Sequence, residues 1–160
     1  CSADPGHGGR TAEEWIAQLE TSPDSLQRRS AADALGRILE IRPGSERVTT
    51  ALVRALADTS DEVRLAAGTA LVQDRRLPGV AVPGLVRALG DSAHEHTREH
   101  AAELLGSTTP ADAAEATRGL MAALDDPAPG VRDAAVGSLV KIASRAPTTI
   151  AALRQLADSG

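Results

Sequence analysis

Residues 51–71 read ALVRALADTSDEVRLAAGTAL, and the recurrence of this stretch decides the fold. Its second half carries an arginine followed by Ala three residues on and Leu seven residues on: Arg64, Ala67 and Leu71. The same pattern recurs as Arg28/Ala31/Leu35, Arg98/Ala101/Leu105 and Arg132/Ala135/Leu139, with the arginines 36, 34 and 34 residues apart. The first half carries a second block, Leu52-Val53 with Leu56. That block recurs as Trp15-Ile16/Leu19, Leu85-Val86/Leu89, Leu120-Met121/Leu124 and Ala152-Leu153/Leu156, with first residues 37, 33, 35 and 32 apart. Apolar residues at i, i+1 and i+4 form one stripe of a helix. One hairpin cannot bury its own stripe, so a regular period of this length marks hairpins that stack and bury each other. The expected unit is helix A, turn, helix B, four times over, followed by a fifth helix A.

The punctuation between stripes supports this unit. Thr11 with Glu14, Thr59 with Glu62 and Ser92 with Glu95 have capping-box spacing. Thr109 before Pro110 has the form of an N-cap with proline at the first helical position. The segments RPGS at 42–45, LPG at 77–79 and RAPTT at 145–149 separate repeats. Helices are expected over 12–21, 25–40, 46–58, 61–74, 80–90, 95–106, 110–125, 130–145 and 148–158. The expected domains are a flexible tether at 1–10 and one repeat domain at 11–160. Its repeats run about 12–43, 44–78, 79–108 and 109–146, with a partial repeat at 147–160.

Composition narrows the function. The chain is 42% apolar but has one Trp and no Phe or Tyr, so its core is built from Ala, Leu, Val and Ile, which suits close helix packing. A net charge of −5 with interspersed arginines argues against a nucleic-acid backbone as partner. No apolar run approaches the roughly 18 residues that span a bilayer. The single cysteine is Cys1, which excludes an intrachain disulfide and leaves two possibilities open. Either Cys1 is the lipid-bearing residue of a bacterial lipoprotein, with SADPGHGGR as its tether and the cell envelope as its place, or the protein is cytoplasmic.

An acid follows the last leucine of helix A by two residues in four repeats: Asp58, Asp91, Asp126 and Asp158. Asp58/Arg64, Asp91/Arg98 and Asp126/Arg132 are thus candidate structural pairs across the turn, with the guanidinium reaching a carboxylate of its own or a neighbouring repeat. Segments 51–71, 82–106 and 120–143 resemble short HEAT-type repeats of the kind found in phycobilisome lyase subunits. The resemblance runs from residue 12 to 158. The first repeat departs from it, with Glu20-Thr21 in place of the turn acid and Gln27 where two others have Val, as befits an N-terminal cap. The Trp/Gly/Tyr pattern of tetratricopeptide repeats and the Thr-Pro-Leu-His turn of ankyrin repeats are absent.

The resemblance implies an all-α, right-handed α-solenoid (a superhelix) of about four and a half hairpins, with helices A convex and helices B concave. It implies a non-catalytic, monomeric scaffold that binds a protein or peptide and needs no cofactor. The outward row of helix B is Arg29, Asp33 and Arg37; Leu65, Thr69 and Gln73; Glu99, Glu103 and Ser107; Asp133, Gly137 and Lys141. Two readings stay open for it: a solvated face, or a partner groove with Leu65 as apolar anchor and the charges setting specificity.

The one chemical cluster is HEHTREH at 94–100. His96 and His100 share a helix face, and H-x-x-E-H matches an inverted zinc-protease motif. Against it, Arg98 and Glu99 fall on repeat positions and no remote third ligand is evident. A metal-binding or accessory enzyme role for His94, His96 and His100 is therefore the alternative. His100 stands where Ser30, Ala66 and Ala134 stand in the other repeats, so its ring must displace a neighbour or enter a groove.

Overall fold

A computed structural model describes residues 7–74, 77–91 and 93–145. Over these residues the chain forms eight α-helices and no β-strand: α1 (Ala12–Thr21), α2 (Ser25–Ile41), α3 (Glu46–Ala55), α4 (Asp61–Val72), α5 (Val82–Leu89), α6 (Glu95–Leu105), α7 (Ala113–Ala122) and α8 (Pro129–Arg145). Short 3-10 turns precede α5 at Gly79–Ala81 and follow α7 at Ala123–Asp125. These are the helices that the leucine stripes mark; the expected helix at 148–158 lies outside the described residues.

The chain divides into two units, Cys1–Gly84 and Leu85–Gly160, with the boundary inside α5. In the first, α1 packs on α2 and α3 on α4, and like helices stack: α1 on α3, α2 on α4. In the second, α6 and α7 both pack on α8. The repeat residues make both cores: Ala31, Ala67, Ala101 and Ala135 are fully buried, as are Leu35, Leu52, Leu71, Leu85, Leu105 and Leu120. Each such leucine contributes about 1.5–3 kcal/mol by leaving water.

Glycine sets how closely the B helices approach. A Cβ at Gly36 would stand 2.9 Å from Ala70 Cβ, and one at Gly106 would stand 2.8 Å from Ser138 Cβ. Each glycine lies eight residues after its repeat arginine, and each partner six residues after the next arginine within its unit.

One cap is as its spacing suggests, and three differ. The Thr11 hydroxyl accepts from Glu14 N at 3.3 Å while the Glu14 carboxylate accepts from Thr11 N at 2.7 Å, a full capping box. Helices α4, α6 and α7 are instead entered from Ser60, His94 and Asp112. The cause is the acid of the A–B turn. Asp58 Oδ1 accepts from Ser60 N at 2.8 Å, and Asp91 Oδ1 accepts from Ala93 N at 3.0 Å. This carboxylate-to-N–H closure, two residues on, shapes the turn and starts the helix later than Thr59/Glu62 or Ser92/Glu95 spacing implies. Before α7, Thr109 Oγ1 donates to Asp112 Oδ2 at 2.7 Å, so residues 110–112 form a turn ahead of the helix.

Residues 7–10 lie against Trp15, whose Nε1 donates to the His7 carbonyl at 3.0 Å. The Arg10 guanidinium stacks 4.0 Å above the indole centroid.

Candidate functional site

The repeat arginines share one geometry. Each donates from Nη1 to a backbone carbonyl at the end of its own helix A or the turn beyond: Arg28 to Ser22, Arg64 to Asp58, Arg98 to Asp91 and Arg132 to Asp126. Two of them also grip the aspartate of the following repeat with the Nε–Nη2 edge. Arg28 meets both Asp58 oxygens at 2.8 Å, and Arg98 meets those of Asp126 at 2.7 and 2.9 Å. Hydrogen bonds from Arg28 hold the Asp58 carboxyl below the usual carboxylate range, and those from Arg98 do the same for Asp126. Arg64, itself buried, donates from Nη2 to Asp61. Asp91 is held by the His94 ring at 2.9 Å and by Ala93 N. Within each unit the fork joins two consecutive repeats.

The outward row of helix B is exposed along all four repeats, except that Glu99 is half-buried. In the first unit, α2 and α4 bring six of its residues together. Arg29, Asp33, Leu65 and Thr69, with Glu62 and Ala66, line a shallow groove of about 290 Å³. An adjoining groove of about 320 Å³ shares Asp33, Ala66 and Thr69 and continues along Arg37 and Gln73 over Gly36 and Ala70. Leu65 is 54% exposed at its edge. Arg29 lies 4.0 Å from Asp33 and 3.7 Å from Glu62, and Arg37 donates to the His7 ring at 3.0 Å. Sequence periodicity marked the walls of this groove and missed its floor. Gly36, Ala66 and Ala70 are buried, and their small size is what opens the space.

In the second unit the row is Glu99 and Glu103 on α6 and Ser107 just beyond it, with Asp133, Gly137 and Lys141 on α8. It has three acids and one base, and no large apolar side chain of its own.

The histidines are turned to separate local partners. His94 faces Asp91, His96 lies 3.5 Å from Glu99, and the His100 ring reaches back to the His96 carbonyl at 2.8 Å. His100 thus lies along its own helix, half-buried. Among the described residues no group of three or more His, Cys, Asp or Glu is placed to hold a metal ion. No helix among them is long and apolar enough to cross a membrane. Cys1 and Asp158 lie outside the described residues.

Paired helices, arginine forks between consecutive repeats and a polar outward face on every second helix define a tandem helical-hairpin repeat protein of the α-solenoid class. The chain belongs to the HEAT-repeat family: the family model for HEAT repeats matches residues 5–72 and 82–160. It is 35% identical over 136 residues to 26S proteasome regulatory subunit RPN2 of Candida glabrata, a match over 80% of this chain and 14% of that protein's length. Among solved structures it resembles an engineered protein at TM-score 0.59 and 23% identity, covering 83% of this chain and 62% of the other. The designed armadillo repeat protein YIII(Dq)4CqI aligns at TM-score 0.57 and 22% identity, over 81% and 63%. The CpcE–CpcF complex of phycocyanin lyase from Nostoc sp. PCC7120 aligns at TM-score 0.52 and 22% identity, over 90% and 70%. At these identities the structural likeness concerns the fold.

Proposed function

We propose that the chain is a non-catalytic interaction scaffold that binds a protein or peptide segment on its helix-B face, with the α2/α4 groove as the principal contact. One observation carries this reading: two adjoining grooves, walled by the outward residues of consecutive B helices and floored by small ones, with Leu65 54% exposed beside them. An exposed leucine ringed by charged residues suits an apolar anchor with a polar rim. Family membership supports the class of function, and the relatives leave the partner open. Charge reversal at Glu99 and Glu103 is expected to alter which partners are captured, because these acids set the sign of the second unit's face.

The test is selection of binders from a displayed peptide library against the whole chain, with affinities measured for the enriched sequences. Leu65→Asp is expected to weaken binding about tenfold or more, the scale of an apolar anchor replaced by a charge. Arg47→Glu, on helix α3 and away from the groove, is expected to leave binding unchanged with helicity intact in both variants. Equal affinity for wild type and Leu65→Asp would remove the groove as the site.

A further inference from the structure

Residues 7–10 form a small closed loop clipped across the first hairpin. His7 N donates to the Arg10 carbonyl at 2.9 Å, and Arg10 N donates to the His7 carbonyl at 3.2 Å. The two residues between them turn in the left-handed region, Gly8 at φ +60° and Gly9 at φ +78°, which glycine enters without strain. Helix α1 holds the loop from one side. Trp15 Nε1 donates to the His7 carbonyl, and the Arg10 guanidinium stacks on the indole while donating to the Glu14 carbonyl at 3.1 Å and to the Gln18 side chain. Helix α2 holds it from the other side, through Arg37, whose Nη1 lies 3.0 Å from His7 Nε2. Arg37 also lines the groove over Gly36 and Ala70, so loop and groove share one side chain.

The His7–Arg37 contact dictates the state of the ring. A guanidinium has donors and no acceptor, so His7 Nε2 must accept, and the ring is neutral with its proton on Nδ1. A proton added at Nε2 would set one N–H against another and one cation against another. The charges that hold the loop are of one sign: Arg37 from α2 and Arg10 from the loop itself. From α1 come the Trp15 indole, the Gln18 amide and Glu14. The Glu14 carboxylate is turned to Thr11, whose backbone N–H and hydroxyl hold it below the usual carboxylate range. On α2, Asp33 and Glu40 lie one turn to either side of Arg37, with Asp33 turned to Arg29. The histidine–carboxylate pairs among the described residues are those of His94 and His96, so none reaches the His7 ring there.

We propose that His7 is a proton-operated latch on this loop. Neutral, it ties the loop to Arg37. Protonated, it breaks from Arg37, carries the His7 carbonyl off Trp15, and leaves the Arg37 guanidinium open at the end of the groove. The released ring accepts a proton more readily than the docked ring, which faces a cation. Docking of the loop is therefore favoured at high pH and lost as pH falls through the range in which imidazoles charge. The latch stands on the loop's own contacts; only its consequence for a partner rests on the groove reading above.

Trp15 is the chain's only tryptophan, so its fluorescence reads the loop with no partner present, and failure of the groove as a binding site would leave this result untouched. Emission spectra of the whole chain are recorded from about pH 8 to about pH 5, the span of histidine titration, with circular dichroism alongside. One sigmoidal shift of emission to longer wavelength is expected as pH falls, with helicity unchanged. Gly9→Val strains the turn and is expected to show the longer-wavelength spectrum at every pH, which supplies the reference for the released loop. His7→Gln keeps an acceptor that takes up no proton and is expected to hold the shorter wavelength throughout. Arg37→Gln keeps a donor without the charge and is expected to lose most of the shift. A wild-type spectrum independent of pH overturns the proposal, and so does a shift that survives His7→Gln. A shift to shorter wavelength in acid overturns it as well, since a carboxylate such as that of Asp4 would then be receiving the charged ring.

Discussion

In Cys1–Gly84 a buried aspartate ties the hairpins together; in Leu85–Gly160 an isoleucine stands at the same register. Asp74 and Ile142 both lie ten residues after their repeat arginine and are 4% and 3% exposed. Asp74 accepts from Gly44 N at 2.9 Å and from the Thr49 hydroxyl at 3.1 Å, fastening the loop after α2 to the end of α4. Thr117, the counterpart of Thr49 nine residues before the turn aspartate, is 3% exposed and its hydroxyl has no hydrogen-bond partner among the described residues. The devices that recur in both units are the leucine stripe, the arginine fork and the close-approach glycines Gly36 and Gly106. The polar fastening varies, because aliphatic burial alone suffices to close a hairpin stack.

The largest effects test the shared part. Leu71→Ala and Leu105→Ala each remove a fully buried side chain and are expected to lower stability by about 2–5 kcal/mol. Leu139, the counterpart of Leu71, is only half-buried, and Leu139→Ala is expected to cost clearly less in the same urea titration. Equal costs at Leu71 and Leu139 would break the link between register and burial. Next comes the part that differs. Asp74→Ala leaves the Gly44 N–H and the Thr49 hydroxyl without this acceptor, an expected loss of about 1–3 kcal/mol. Adding Thr49→Val is expected to cost little more, since the two side chains act as one unit, and a fully additive double variant would show that they do not.

Acid should act alike on both units. The folded-state pKa values of Asp58 and Asp126 are lowered by Arg28 and Arg98. An unfolded aspartate titrates near about 3.9, so this stabilisation is complete above that pH and is lost as pH falls through the lower folded values. Asp58→Asn and Asp126→Asn are each expected to flatten the acid limb of stability against pH below about 4, leaving neutral-pH behaviour less stable than wild type. An unchanged acid limb in either variant would mean that the fork in that unit does not couple to folding.

How much of this was legible from residues alone follows from what repeats. The leucine and arginine periods locate all eight described helices, because burial and helix geometry act on each repeat in the same way. The exposure of the outward row is legible for the same reason, and six of its members line two adjoining grooves. Cap positions at Thr59 and Ser92 were not, because the turn aspartate takes up the first free N–H groups, nor was that at Thr109, whose hydroxyl donates to Asp112 instead. The direction of each arginine fork was not either. Arg28 reaches Asp58 across 30 residues, and chain spacing alone does not separate that carboxylate from one in its own repeat. The Asp74–Thr49–Gly44 fastening was invisible for the opposite reason: it occurs once, and a repeat-based argument averages it away.

The smallest effect probes the difference between the units most sharply. Thr49 and Thr117 share a register and a buried setting, so Thr→Val at each removes the same hydroxyl from the same kind of space. At Thr117 the hydroxyl has no partner among the described residues, and its burial opposes folding. Thr117→Val is therefore expected to raise stability by up to about 1 kcal/mol. At Thr49 the hydroxyl donates to Asp74, and Thr49→Val is expected to lower stability by about 1 kcal/mol through loss of this bond. Opposite signs at one register, read from urea midpoints of otherwise identical chains, would show that the hydrogen-bond partner and not the helix environment decides the value of the hydroxyl. A loss of stability at Thr117→Val would mean that its hydroxyl has a partner after all, and the contrast drawn between the two units would then rest on Asp74 alone.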